Sequence, residues 1–209
     1  MMIKVNKIYK YFDKNEISEI KPEYYPFIKR NKLIVFVPSS HLDKLTFDLG
    51  NKGAGIIGNY DLCSFRVNGS GTYRPNSKAN PYYGKLNKFT ITEEVRLEME
   101  FDKENTNILI DALLESHPYE EPAYEIYEFS KRSKEPSGYY IKLKNQISLN
   151  ELVSRFNRKD IIPLSKKKLN QFIYIVNTEI DNEIKNIAIL KKYPAVISER
   201  ENKINIIII

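Results

Sequence analysis

The chain has 209 residues, of which 42% are hydrophobic and 12% aromatic, and its formal net charge is +6. That length is enough for a substantial core, as one domain with appendages or as two small domains. No apolar run is long enough to span a bilayer, so a membrane partner is not expected. Met1–Phe12 mixes Lys with apolar residues and lacks the apolar centre of a signal peptide, and the single cysteine, Cys63, leaves no internal disulfide. A cytoplasmic protein is expected. The basic charge raises a nucleic-acid reading, but Arg, the better base and phosphate reader, is sparse, and the Lys residues are dispersed apart from Lys166–Lys168. A solvated Lys-rich surface accounts for the charge, and nucleic acid is not an expected partner.

In chain order, residues 1–31 open with an amphipathic stretch (Ile3, Val5, Ile8, Tyr11, Phe12) and continue into a Pro/Tyr-rich connector at Pro22–Pro26. Leu33–Val37 is a continuous apolar run closed by Pro38, the pattern of a buried strand. Ser39 and Ser40 are candidate caps for a helix to about Leu49, which Gly50 would end. Ile56–Val67 reads as a strand. Val95, Leu97, Met99 and Phe101 alternate with Glu94, Arg96, Glu98 and Glu100, which predicts a strand with one buried and one wet face. Asp102 is the candidate cap of a helix with the apolar stripe Ile108, Ile110, Leu113 and Leu114, stopped by Pro118, and Ala123–Phe129 returns as a strand. The resulting β-α-β-β-α-β order predicts an α+β, ferredoxin-like domain over residues 32–130.

A polar linker, Ser130–Ser137, leads to a smaller α/β region over residues 138–209. Its expected elements are a strand at Tyr139–Leu143, a helix capped by Ser148 with Glu151 completing a capping box, and strands at Phe172–Val176, Ile184–Leu190 and Ile204–Ile209. The last is apolar enough to require a partner strand or a subunit interface.

Seven of the eight glycines lie between Gly50 and Gly84, and the motifs sit with them. They are Gly53-Ala54-Gly55-Ile56-Ile57-Gly58-Asn59-Tyr60-Asp61, Cys63-Ser64-Phe65-Arg66 and Gly69-Ser70-Gly71-Thr72-Tyr73-Arg74-Pro75. Further on comes His117-Pro118-Tyr119-Glu120-Glu121-Pro122-Ala123-Tyr124. In order and spacing these resemble the inserted PII-like domain of the NIF-three-like family, also described as type 2 homologues of GTP cyclohydrolase I, across Lys32–Phe129. The His-Pro-Tyr-Glu pattern is also similar to CutA-type divalent-cation-tolerance proteins, which share the trimeric PII-like fold. More weakly, Met2–Ile8 is similar to the family's opening helix, Ser148–Leu152 to the helix after the insert, and Glu183–Ala188 to the strand before a glycine turn.

The resemblance implies two divalent metal ions held by an early His-His-Pro motif, further carboxylates, and a late His and Glu. The two histidines here, His41 and His117, both fall inside the insert-like segment, and Lys191-Lys192-Tyr193-Pro194 stands where the glycine turn belongs. The chain passes from its opening helix almost directly into the insert-like segment and ends before a late His. The expectation is therefore a non-catalytic member with no catalytic residues, no metal ligands and no cofactor. Residues 138–209 are expected to be a degenerate remnant of the metal-binding domain, packing with residues 1–31. The resemblance also implies a homo-oligomer, a trimer through the PII-like domain. The alternatives are a metal-dependent hydrolase of the family, with ligands unrecognised or borrowed from a partner subunit, and a nucleic-acid binder.

Several side chains are candidates for ligand binding, each with a purely structural reading beside it. Backbone N–H groups around Gly53, Gly55 and Gly58, with Arg66 or Arg74, are candidates for a small anionic ligand, but no Gly-Lys-Ser/Thr ending makes this a P-loop. Equally, these glycines form tight turns, and Gly69 and Gly71 a hairpin or bulge. His117 with Glu120, Glu121 and Glu125 has cation-binding chemistry; alternatively His117 caps helix carbonyls and the carboxylates face water. Tyr73, Tyr82, Tyr83, Tyr119 and Tyr124 line a ligand cleft or fill an interface. Cys63 reads as structural, and His41 after Ser39-Ser40 lacks the partners of a nucleophilic pair.

Overall fold

The structure, a computed structural model, describes residues 6–158, 168–201 and 203–209. Met2, Ile3, Val5, Lys166 and Lys167 lie outside the described residues. In chain order the elements are strands β1 (Ile17–Tyr24) and β2 (Phe27–Val37), helix α1 (Leu42–Asn51), strands β3 (Phe65–Tyr73) and β4 (Thr90–Phe101), helix α2 (Thr106–Ser116), strands β5 (Tyr124–Arg132) and β6 (Gly138–Ser148), helix α3 (Leu149–Arg155), strand β7 (Lys168–Val176), helix α4 (Asn182–Leu190), and strands β8 (Ala195–Arg200) and β9 (Lys203–Ile208). They form two compact units, one of Met1–Phe27 with Arg132–Ile209 and one of Ile28–Lys131.

The Ile28–Lys131 unit carries a four-stranded sheet in the order β3-β4-β2-β5, with β4 antiparallel to both neighbours. With α1 and α2 as its two crossovers this is the ferredoxin-like arrangement. The alternation in β4 has the physical basis expected of it. Val95, Leu97, Met99 and Phe101 are buried with Leu33, Val35 and Val37 of β2, Leu45 and Leu49 of α1, and Leu109 and Leu113 of α2. Glu94, Arg96, Glu98 and Glu100 point to the other face, away from α1 and α2. There Glu98 pairs with Lys32 at 2.8 Å and with Arg96 at 2.9 Å, and Lys131 pairs with Glu100 at 2.8 Å.

Several local expectations are corrected. After Pro38 the chain turns through a 3-10 segment, Ser39–His41, so neither serine side chain caps α1, and the helix runs through Gly50 to Asn51. Only the end of Ile56–Val67 is a strand: the turn at Ile57–Tyr60 intervenes, Leu62 has φ 50°, and pairing starts at Phe65. Gly69 and Gly71 lie inside β3, opposite Glu94 and Thr92, and form no hairpin. Asp102 makes no side-chain cap, and a 3-10 turn, Lys103–Asn105, precedes α2. The buried stripe of α2 is Leu109, Ala112 and Leu113, whereas Ile108 and Leu114 are exposed. Ile108 and Leu114 each stand one residue, about 100° of helix rotation, beyond the ends of that stripe.

The second unit holds a five-stranded sheet in the order β1-β6-β7-β8-β9, with β7 and β8 parallel. Its apolar residues alternate between two cores. Phe172 and Tyr174 pack with Ile8, Phe12 and Phe156 on one face, and Ile173 and Ile175 with Ile184, Ala188 and Tyr193 on the other. The Pro22–Pro26 connector is largely strand β1, and Pro22 is tolerated because β1 is an edge. Ser148 caps α3 by accepting from Glu151 N at 3.1 Å. Ile184–Leu190, expected as a strand, is helix α4, started by Asp181, whose carboxylate accepts from Ile184 N at 2.8 Å. Strand β9 finds its partner in β8.

Candidate functional site

A cleft of about 750 Å³ opens on the face of the Ile28–Lys131 sheet opposite α1 and α2. The β3–β4 register builds its floor. Gly69 and Gly71 project no side chain on the face where Val67, Tyr73, Glu94 and Arg96 lie, so backbone is bare beside Glu94. A Cβ on Gly71 would stand 2.4 Å from Glu94 Oε2, whereas one on Gly69 would meet nothing within 4 Å. The first glycine makes room for a carboxylate; the second leaves open space.

The walls come from the connection after β3 and the turn after α2. Asn76 folds the connection by accepting from Lys78 N at 2.8 Å. Asn80 N–H donates to both Glu120 oxygens at 3.0 and 3.1 Å, which joins the two walls. Tyr73 donates its hydroxyl to Tyr83 O at 3.0 Å, and Tyr119 donates to Glu94 Oε1 at 2.9 Å. The rings of Tyr73 and Tyr119 stand 6.3 Å apart, those of Tyr82 and Tyr119 6.1 Å, at mutual tilts of 58° and 45°. Burial and the Glu94 bond raise the Tyr119 phenol's pKa, and burial raises that of Tyr73, so both rings stay neutral donors at physiological pH.

His117 supports this wall from behind. It is buried, its Nε2 lies 3.0 Å from Phe36 O of β2, and Tyr119 N–H donates to its Nδ1 at 3.1 Å. A carbonyl only accepts, so Nε2 carries the proton and Nδ1 is bare. Burial pushes the imidazole's pKa below its ordinary value, against the smaller upward effect of the Phe36 carbonyl. His117 caps the helix as expected, through its backbone N–H, which donates to Leu113 O at 2.9 Å, while its ring ties the turn to β2.

The sequence candidates thus divide. Arg74, Glu120 and Glu121 line the cleft with Tyr73, Tyr82 and Tyr119. Arg66 points to the helix side, bonded to Asp43 at 3.0 Å and Thr46 at 3.1 Å. Gly53, Gly55 and Gly58 form the loop before β3 at φ 96°, 74° and 63°. Gly55 N–H donates to Glu100 O at 2.7 Å and its carbonyl accepts from Cys63 N at 2.9 Å, so the loop's polar groups serve the fold. Glu125 accepts from Tyr127 at 2.8 Å, and Tyr124 does not line the cleft. Sequence reasoning missed Glu94 and Arg96 as cleft residues. Their alternation announced a wet strand face, but nothing local announced that the Gly69/Gly71 strand would lie beside them.

Ser40 Oγ and His41 Nδ1 stand 3.0 Å apart. Among the described residues, no group of three or more His, Cys, Asp and Glu side chains is placed to hold a metal ion, and no helix is long and apolar enough to cross a membrane.

No family model matches the chain. It is 32% identical over 163 residues to the GTP cyclohydrolase 1 type 2 homolog of Halalkalibacterium halodurans, covering 76% of this chain and 41% of that protein. With the protein of the same name from Bacillus subtilis it shares 38% identity over 138 residues, covering 66% of this chain and 36% of the relative. The chain thus spans about two fifths of the length of the curated relatives it matches. The crystal structure of a Bacillus cereus protein related to NIF3 matches with a TM-score of 0.51 at 24% identity, over 90% of this chain and 51% of that one, a likeness of fold. On the sequence shared with these curated relatives, and with a fold to match, the chain belongs to the NIF-three-like family.

Proposed function

We propose that this chain is a non-catalytic member of its family, a PII-like module that binds a small ligand in the Gly69–Tyr119 cleft and works as a homo-oligomer. The observation that carries the reading is the cleft itself. Its volume of about 750 Å³ suits a small molecule, and its tyrosines are held in place by their own hydrogen bonds before any ligand arrives. Self-association has support of its own in Phe65, Val67 and Tyr127, large apolar side chains exposed along the sheet's edge strands β3 and β5.

The relatives' name supports a second reading, a metal-dependent hydrolase acting on a nucleotide. It requires imidazole and carboxylate ligands converging on one water.

A ligand-observed magnetic resonance screen of amino acids, nucleotides and amines against the full chain tests the binding role, with Gly69→Leu as the control. That substitution adds a side chain where a Cβ meets nothing, at a backbone without positive φ, so the variant folds with its cleft filled. A ligand bound by the native chain and excluded from the variant is expected. No binder, or equal binding by both, overturns the binding role. Stoichiometric zinc or iron after purification, or nucleotide turnover by metal-loaded protein, overturns the non-catalytic assignment.

A further inference from the structure

The cleft's lining has a charge and aromatic content that select among ligand classes. Three carboxylates line it, Glu94, Glu120 and Glu121, against two guanidinium groups, Arg74 and Arg96. Arg96 is engaged by Glu98 at 2.9 Å and lies over the Phe36 ring at 5.9 Å. Glu120 is held by a neutral donor, the Asn80 N–H, rather than by a cation. The lining is therefore net negative. Tyrosine faces add to that field, because the ring quadrupole is negative above and below its plane.

The arrangement of the rings matters as much as their number. Tyr73 and Tyr82 both neighbour Tyr119, at 6.3 and 6.1 Å, and their tilts make them inclined walls rather than a stack. Tyr82 is braced edge-on by Tyr83 at 4.6 Å and by His41 at 5.5 Å. Glu94 gives one oxygen to the Tyr119 hydroxyl, and its other oxygen lies over the space that Gly71 leaves vacant. Among the described residues, that second oxygen has no donor. Rings set around a carboxylate are the chemistry that recognises an ammonium: the faces attract the charge without hydrogen bonding, and the carboxylate neutralises it.

Building on the ligand-binding role above, we propose that the cleft recognises a small organic ammonium, its cationic head seated among Tyr73, Tyr82 and Tyr119 against the Glu94 carboxylate. This departs from the anionic ligand expected from the glycine loop, where the Gly53 and Gly55 N–H groups already donate to the carbonyls of Gly50 and Glu100. Arg74, which has no partner among the described residues, is left to meet any acidic group the ligand carries at its other end.

Calorimetric titration of the full chain with choline, with its neutral isostere 3,3-dimethylbutan-1-ol and with inorganic phosphate tests the assignment. Choline is expected to bind saturably, at least about tenfold more tightly than the isostere or phosphate. Glu94→Gln is expected to weaken choline about tenfold while leaving the isostere unchanged. Tyr82→Ala, at a more exposed ring, provides the same comparison should the Glu94 variant fold poorly. If isostere or phosphate binds as well as choline, or if choline does not bind, the cationic assignment is overturned. The ligand-binding role falls only if the wider screen, controlled by Gly69→Leu, finds nothing as well.

Discussion

His117 sits between two backbone groups that dictate its protonation. Nε2 must donate to Phe36 O and Nδ1 must accept from Tyr119 N–H, so a second proton on Nδ1 would set donor against donor. Burial already holds the folded-state pKa below the ordinary value of 6.5. The unfolded chain therefore takes up a proton first as pH falls. The ring's contribution to stability is full above about pH 6.5 and is lost progressively below it, until the folded ring protonates in turn. Glu98 and Asp48, whose pKa values are lowered by their lysine partners, act only below the ordinary carboxylate range. The expected result is a urea midpoint that declines from pH 7 to pH 5 in the native chain and declines less in His117→Ala. The variant is also expected to lose about 2 kcal/mol at pH 7, because a buried carbonyl and an N–H lose their partner. Gly55 gives a contrast in backbone terms. At φ 74°, an added Cβ would stand 2.7 Å from Cys63 O and 2.8 Å from Met99 Cε. Gly55→Ala is expected to cost about 2 kcal/mol or more, and Gly69→Leu within about 0.5 kcal/mol of nothing, both read by denaturant unfolding. The motif sequence singled out His117, Glu120 and the glycines as special. It did not separate the glycines that shape the cleft from those that turn the chain, because that depends on which strand each glycine finally pairs with.

Among the elements, α4 shows where sequence periodicity misleads. Ile184, Ile187, Ala188 and Ile189 give an apolar run that reads as a strand when their neighbours are ignored. In the structure Ile184 and Ala188 are the buried pair, spaced one helical turn apart, while Ile189 and Leu190 are exposed. The decisive signal was Asp181, which stands three residues before Ile184 and satisfies its N–H. It also accepts from the Tyr24 hydroxyl at 3.2 Å. Asp181→Ala is expected to destabilise the chain by about 1–2 kcal/mol, and Asp181→Asn, which keeps an accepting oxygen, by less; thermal unfolding of the two variants checks the order. The four strands and two helices of the Ile28–Lys131 unit were legible in outline because β4 is buried on one face and wet on the other, which writes a period of two into the sequence. β1 and β8 were not. At the end of β1 a proline and a tyrosine, Pro22 and Tyr24, imitate a connector, and a six-residue strand such as β8, buried across Ala195–Glu199, has no alternation to display.

For the whole molecule, the open question is what becomes of the sheet's two edges. In the order β3-β4-β2-β5 the outer strands are different sequences, so a contact between the β3 edge of one copy and the β5 edge of the next joins unlike surfaces. Such a contact is heterologous, and it closes only as a ring. Phe65 and Val67 on β3 are 62% and 44% exposed, and Tyr127 on β5 is 53% exposed. On the same face the strands carry paired charges, Glu98 with Lys32 between the two inner strands and Glu100 of β4 with Lys131 of β5. Those pairs are satisfied within one chain and supply little attraction between copies, so apolar edge contacts have to drive association. A ring of three is the expected state, in keeping with the PII-like resemblance. Sedimentation equilibrium at micromolar concentration is expected to return the mass of three chains. Phe65→Lys is expected to shift the mass toward one chain, since it places a charge in a contact that must exclude water. Tyr127→Lys, on the opposite edge, is expected to do the same. Mixing the two variants separates a heterologous ring from a self-complementary dimer. Each variant keeps one intact edge, so in the ring the mixture regains at most one native contact per pair, the Phe65 edge of one meeting the Tyr127 edge of the other, and stalls at two chains. A native chain that sediments as a monomer, or variants that keep the native mass, would show that these edges are not the surfaces of assembly.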